Sequence, residues 1–369
     1  YYTSNKTIAT AKMIWFGLVW IICISLLTGA VAFIYFHFVE PIKLFQRDII
    51  VLWAVIFTAG TLFINFYSGL FYATGDFKTP NIITAILNLL LAVIISLSVY
   101  FVTDTDILLS RYFYLFLIQG IIVFLVFILT KKQYWQPQLP SSKENTMLLH
   151  YATKALVANI VFFLVYRVDY WLIINKCSAA DAGNYMQASR FAQLLWLIPQ
   201  MLATAVFPRT AEGINETEIR NVIMRFARVF ILIYVLISVL LVVAGNLLFT
   251  HLLGGSFNKV SVLMLLLMPG VIALSILCLL SAYFAGINKV AVNVKGAFAG
   301  LAAVIILSSL AWHYYTIYVA ALISSVSYCV CFIYAFSIFS KQHKIVFKKL
   351  MIFSKADWQF IINFITNKS

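Results

Sequence analysis

Three charged side chains interrupt long apolar runs of this sequence: Arg167, Asp169 and Arg190. A guanidinium is a planar fork that grips phosphate or carboxylate through two parallel hydrogen bonds. A carboxylate in apolar surroundings pairs with such a cation, tunes it, or takes up a proton or a metal cation. The three residues lie on consecutive segments around a turn near Ser178–Ala180. With the turn centred at 179–180, Asp169 falls opposite Arg190, each about 15 Å from the turn by helical rise. Arg167, two residues from Asp169, points to another side. Two readings stand. One is a structural ion pair that locks the hairpin. The other is the polar lining of a cavity, where arginine meets an anionic head group and Asp169 carries a coupling H+ or Na+. Asn159, Asn175, Gln187 and Gln193 add polar groups to the same hairpin, and Asn159 and Gln187 join the candidate substrate-binding set.

A second pattern, Tyr-x-x-Gly-x-x-Lys, occurs twice, 211 residues apart. The copies are Tyr72, Gly75, Lys78 and Tyr283, Gly286, Lys289, each in a polar break between two apolar runs, with Asn81 and Asn293 following. The glycines suit a tight turn after a helix. The lysines suit a topology signal with snorkelling stems, or a gate that meets a lipid phosphate. Two copies in matching hairpins predict a duplicated membrane domain. Pro199 and the pair Pro269–Gly270 fall inside apolar runs and predict kinks, which serve either as hinges or as bent packing.

The elements that hold these residues follow from composition. The 369 residues are 63% hydrophobic and 10% charged, against about 25% charged in a soluble domain. Ten runs reach the roughly 20 residues that cross a bilayer as a helix: about 13–39, 49–73, 81–102, 110–130, 150–175, 184–207, 226–252, 260–286, 292–312 and 314–339. They are continuously apolar rather than alternating, which excludes β-spans. The expected fold class is an all-α polytopic membrane protein, a two-lobed helical bundle with an internal repeat.

The net charge of +14 does not indicate nucleic acid, because it sorts by side. With residues 1–12 cytoplasmic and helices alternating, 19 Lys and Arg fall inside and 5 outside, as the positive-inside rule requires. Both ends of the chain are then cytoplasmic. Residues 131–149 carry two prolines and paired serines and read as a linker. The organisation is four spans over 1–130, the linker, six spans over 150–339, and a basic amphipathic tail over 340–369. Val346, Leu350, Phe353, Ile361 and Phe364 would form its apolar face against lipid. The start at Tyr1 reads as a truncation that removes about two spans of a six-plus-six protein.

Cys23, Cys177, Cys278, Cys329 and Cys331 lack metal-ligand spacing. His37, His251 and His313 fall near one interface. The sequence contains no Walker motif, glycine-rich phosphate loop or nucleophile elbow, so no metal, cofactor or ATP-driven step is expected, and the chain does not read as an enzyme.

Residues 156–211 resemble the start of the second lobe in bacterial polysaccharide flippases. The match lies in Asn159, Arg167, Asp169 and Tyr170, then Gly183, Tyr185 and Ala188, then Trp196 and Pro199, then Phe207, Pro208 and Arg209. The repeated hairpins are similar too. The family belongs to the multidrug/oligosaccharidyl-lipid/polysaccharide exporter superfamily. The resemblance implies two lobes around a central cavity. It implies movement of an undecaprenyl-pyrophosphate-linked oligosaccharide across the bacterial inner membrane by alternating access, for O-antigen or capsule. Implied partners are that lipid-linked cargo, membrane lipids, a polysaccharide polymerase and a chain-length regulator. The main rival is a multidrug or metabolite cation antiporter of the same fold, which should carry several cavity carboxylates. A membrane polymerase or glycosyltransferase should carry a sizeable outer loop.

Overall fold

The computed structural model describes residues 10–39, 44–102, 104–136, 138–211, 213, 216–345 and 347–351. Ten helical spans are present among the described residues, as expected. Contacts divide the chain into two compact units, Tyr1–Met147 and Leu148–Ser369.

The first unit holds α1 (Thr10–Ile34), α2 (Leu44–Ala73), α3 (Lys78–Phe101) and α4 (Thr105–Thr130). Helix α2 packs against both α1 and α4. Ile14, Ile21, Tyr67, Phe71, Val123 and Phe127 form its core. Close approach comes from small residues, as is usual in lipid: a Cβ on Gly120 would lie 2.7 Å from the Gly60 carbonyl oxygen. Lipid cannot hydrogen-bond, so polar groups pair within the unit. Tyr67 donates to the Ile14 carbonyl, and Gln119 to Asn88 at 2.9 Å.

Helix α5 (Ser142–Val165) begins inside the stretch read as a linker. A capping box explains the early start. The Ser141 N–H donates to the Glu144 carboxylate at 2.7 Å, and the Glu144 N–H reaches back to the Ser141 hydroxyl. Lys12 of α1 also pairs with Glu144 at 3.0 Å.

The second unit continues with α6 (Val168–Lys176), α7 (Ala179–Ala211), α8 (Glu216–Leu253), α9 (Val260–Gly286), α10 (Val290–Leu310) and α11 (Ile317–His343). A short helix, α12 (Lys348–Met351), follows. The expected amphipathic tail lies largely outside the described residues. Helix α9 is apolar on all sides and takes the central position, packed on α7, α8 and α11. Helix α8 starts ten residues before the apolar run expected to open it, because the run of residues 216–225 is helical although too polar to count as span.

Of the prolines inside helices (Pro199, Pro208 and Pro269), the two expected to kink their helices lie at packing contacts. Pro199 has no N–H, which frees the carbonyl four residues back, and Tyr234 of α8 donates its hydroxyl to that Leu195 oxygen at 2.8 Å. At Pro269–Gly270, the Gly270 N–H donates to Ser325 Oγ of α11 at 2.7 Å. A Cβ on Gly270 would stand 2.7 Å from the Ser325 Cα, whereas one on Gly69 would meet nothing within 4 Å. Gly270→Ala should therefore cost about 1–3 kcal/mol by overpacking, and Gly69→Ala should not destabilise the protein. Thermal unfolding of the two purified variants in detergent checks the contrast.

Candidate functional site

The sequence suggests one long span over 150–175. The helix is instead broken at Tyr166 and Arg167, where the Arg167 N–H bonds to the Leu164 carbonyl three residues back. Arg167 caps the second piece, with its guanidinium 4.8 Å from the centre of the Tyr170 ring and 5.8 Å from that of Tyr166. A cation over an aromatic face is stabilised by the ring quadrupole. The break turns Asp169 inward.

Asp169 is 3% exposed. Tyr185 of α7 donates its hydroxyl to Oδ2, Ser324 of α11 donates to the same oxygen at 2.8 Å, and the Tyr170 N–H donates to Oδ1 at 2.8 Å. Three donors hold a buried carboxylate, and among the described residues no cation pairs with it. The expected Asp169–Arg190 pair is not made, and Arg190 is exposed. The reason is the turn. Ser178 and Asp181 form a second capping pair, Ser178 Oγ to Asp181 at 3.0 Å with the Asp181 N–H returning to Ser178 Oγ. That pair starts α7 at Ala179 and centres the hairpin near Cys177, two residues earlier than the sequence reading placed it. The register then sets Asp169 against Tyr185. Lys259 strengthens the same corner, 2.6 Å from Asp181, and that hydrogen bond raises the pKa of the ammonium above its ordinary value.

The other expected site residues separate. Gln187 is half-buried and bonds to none of the described residues, Gln193 reaches only Ser189 at 3.4 Å, and Asn175 bonds to its own helix at Trp171. Asn159 lines a cavity of about 640 Å³ within the second unit. Its polar wall is completed by Tyr166, Trp196, Gln200, Ser281 and Asn293, and among the described residues no Asp, Glu, Lys, Arg or His lines it. Tyr166 and Trp196 meet edge to face with ring centres 6.1 Å apart, and the Trp196 N–H donates to Cys278 Sγ at 2.9 Å. The sequence reading missed Gln200, Trp196 and Ser281 as a group. Trp196 and Gln200 lie one turn apart on α7, a spacing the sequence does show, but Ser281 joins them from α9 only through packing.

The repeated hairpins use the same letters differently. Gly75 has φ +80° and makes the turn. Gly286 is the last residue of α9, without positive φ, and lies where a Cβ would come 2.7 Å from Thr210. Asn288, at φ 59°, makes that turn instead. The second copy thus spends one more residue in the turn, so α10 starts seven residues after its tyrosine and α3 starts six after. Asn81 and Asn293 are consequently both fourth residues of their helices. Lys78 is exposed, and Lys289 reaches Gln342 at 3.3 Å.

A family of polysaccharide biosynthesis proteins accounts for residues 4–262, more than half of the chain. The chain belongs to this family. No curated protein sequence matches it. Its fold is that of transporters in the multidrug/oligosaccharidyl-lipid/polysaccharide superfamily. The Vibrio cholerae MATE transporter VcmN in its bent form is 17% identical with a TM-score of 0.74, over 93% of this chain and 81% of that one. A Pyrococcus furiosus transporter of the superfamily, whose binding pocket is described as reversed in polarity, is 14% identical with a TM-score of 0.69, over 93% and 80%. An outward-facing MATE transporter is 14% identical with a TM-score of 0.65, over 91% and 79%. These neighbours are transporters, not enzymes.

A buried carboxylate fed by three donors makes a sharp stability prediction. Tyr185→Phe should lower stability by about 1–3 kcal/mol, while Arg190→Ala should stay within about 0.5 kcal/mol of the parent. Melting temperatures of the two variants in detergent decide it. Equal losses would reinstate the Asp169–Arg190 pair.

Proposed function

We propose that this protein moves an undecaprenyl-pyrophosphate-linked oligosaccharide from the inner to the outer leaflet of a bacterial inner membrane, by alternating access, in O-antigen or capsule assembly. Family membership supports a polysaccharide cargo, and the transporter fold supports movement rather than synthesis. The observation that carries the reading is the chemistry of the second-unit cavity, whose lining has amides, a hydroxyl and aromatic rings but no carboxylate. A cation antiporter needs anionic groups where its cargo binds, because a desolvated cation is costly without one.

Asp169 fits the coupling role. Its carboxylate is buried with no salt-bridge partner among the described residues and only the more distant Arg167 acting on it, so proton uptake would relieve a buried charge, and H+ is favoured over Na+ because its hydrogen-bond partners are donors rather than the oxygen ligands a metal cation needs. Arg190 presents an exposed guanidinium suited to pyrophosphate. The excess of basic residues on one side, 19 against 5, supports cytoplasmic termini. The polymerase and the chain-length regulator would take the cargo after release.

Deletion of the gene in its host tests this. The expected outcome is loss of surface polysaccharide and accumulation of the lipid-linked unit on the inner leaflet, with unchanged sensitivity to cationic drugs. Restoring the gene with Asp169→Asn should recover little surface polysaccharide at normal protein abundance. Normal polysaccharide in the deletion strain, together with raised drug sensitivity, would favour the antiporter.

A further inference from the structure

The two copies of the hairpin motif leave their asparagines in opposite states. In the first copy the Asn81 amide is satisfied at both ends: Tyr72 donates its hydroxyl to Oδ1 at 2.8 Å, and Nδ2 donates to the Phe77 carbonyl at 2.8 Å. In the second copy Nδ2 of Asn293 donates to the Ser281 carbonyl at 2.9 Å. The partner tyrosine is not available to Oδ1. Tyr283 is fully buried among Phe284, Phe339 and His343. Its hydroxyl is engaged by His343 at 2.9 Å and by Gln342 at 2.8 Å. Asn293 is 9% exposed, and its Oδ1 is buried without a hydrogen-bond donor. A buried acceptor without a donor costs about 1–3 kcal/mol.

Asn293 is one of the residues that line the 640 Å³ cavity. Asn159 and Gln200 stand at exposed positions of the same wall, so the amides run from its rim to its buried end. Tyr166 and Trp196 add aromatic surface between them. An uncharged pocket is a poor host for pyrophosphate, which needs cations or aligned N–H groups. Amides both donate and accept, and aromatic rings cover apolar C–H surface. A ligand with many hydroxyls on one edge and C–H groups on its faces matches both.

We propose that this cavity is a sugar subsite. It takes a neutral hexose or acetamido-hexose ring of the cargo, and Asn293 Oδ1 accepts a hydroxyl or amide N–H from that ring at its buried end. The assignment rests on the lipid-linked oligosaccharide reading and locates which part of that cargo the second unit holds. The repeat explains how the subsite arises. Turning Tyr283 away toward α11 releases the acceptor that its counterpart Tyr72 occupies in the first hairpin.

Binding to the full protein in nanodiscs tests the proposal with two probes, undecaprenyl-pyrophosphoryl-N-acetylglucosamine and bare undecaprenyl pyrophosphate. The expected result is tighter binding of the sugar-bearing lipid by the parent protein. Asn293→Leu should weaken that lipid about ten-fold and leave the bare lipid unchanged. Gln200→Leu, at an exposed position that folding tolerates, should act in the same direction and keeps the test alive if Asn293→Leu does not fold. An unchanged affinity ratio between the two lipids in the folded variants would overturn the subsite, with the acceptor then serving water alone. A parent protein that binds neither lipid would overturn the flippase reading itself, a separate outcome.

Discussion

Hydrocarbon offers a polar group no hydrogen bond, so every such group in the spans must find its partner inside the protein. That constraint organises both units. It gathers Tyr185, Ser324 and the Tyr170 N–H around one carboxylate, places a tyrosine hydroxyl on the carbonyl that Pro199 sets free, and seats Ser325 on the Gly270 N–H beside Pro269. Each contact joins two or more helices, so polar pairing and helix packing are one event. Small residues make that possible by letting backbones close to contact, as at Gly60 with Gly120 and at Gly270 with Ser325. Against that background, an unpaired acceptor on a cavity-lining residue such as Asn293 is informative, because its free energy favours any ligand that brings a donor.

The two hairpins show how one motif comes to play two parts. Both hairpins keep tyrosine, glycine, lysine and a helix-position-four asparagine, yet one inserted turn residue, Asn288, and one reoriented tyrosine change what those residues do. In the first hairpin the asparagine closes a local turn. In the second it faces a cavity while the tyrosine ties α9 to α11. The shared motif therefore does not mark shared chemistry.

The helical class and the ten spans were legible because they rest on composition and length alone, which act on every residue of a run. The site was legible only in part. Asp169 stood out as a charge in an apolar run, but its partners did not, because an error of two to three residues in the centre of a hairpin moves the opposite residue from Tyr185 to Arg190. The missing signal was local: Ser178 and Asp181 have capping-box spacing, and that fixes where α7 starts. The roles of Gly286 and Gly75 were likewise indistinguishable by letter, since one answers a close approach and the other a positive φ. Cavity residues such as Asn159, Gln200, Ser281 and Asn293 lie on four different helices, and only tertiary packing assembles them.

The most direct measurement is translocation in proteoliposomes that contain the full protein and a lipid-linked oligosaccharide on the inner leaflet, with an external glycosidase reporting arrival outside. A lipid-linked oligosaccharide flippase predicts protein-dependent cleavage beyond half of the starting pool when a proton gradient is imposed, and little without it. Cleavage no faster than in protein-free vesicles, alongside gradient-driven export of an organic cation by the same preparation, would contradict it.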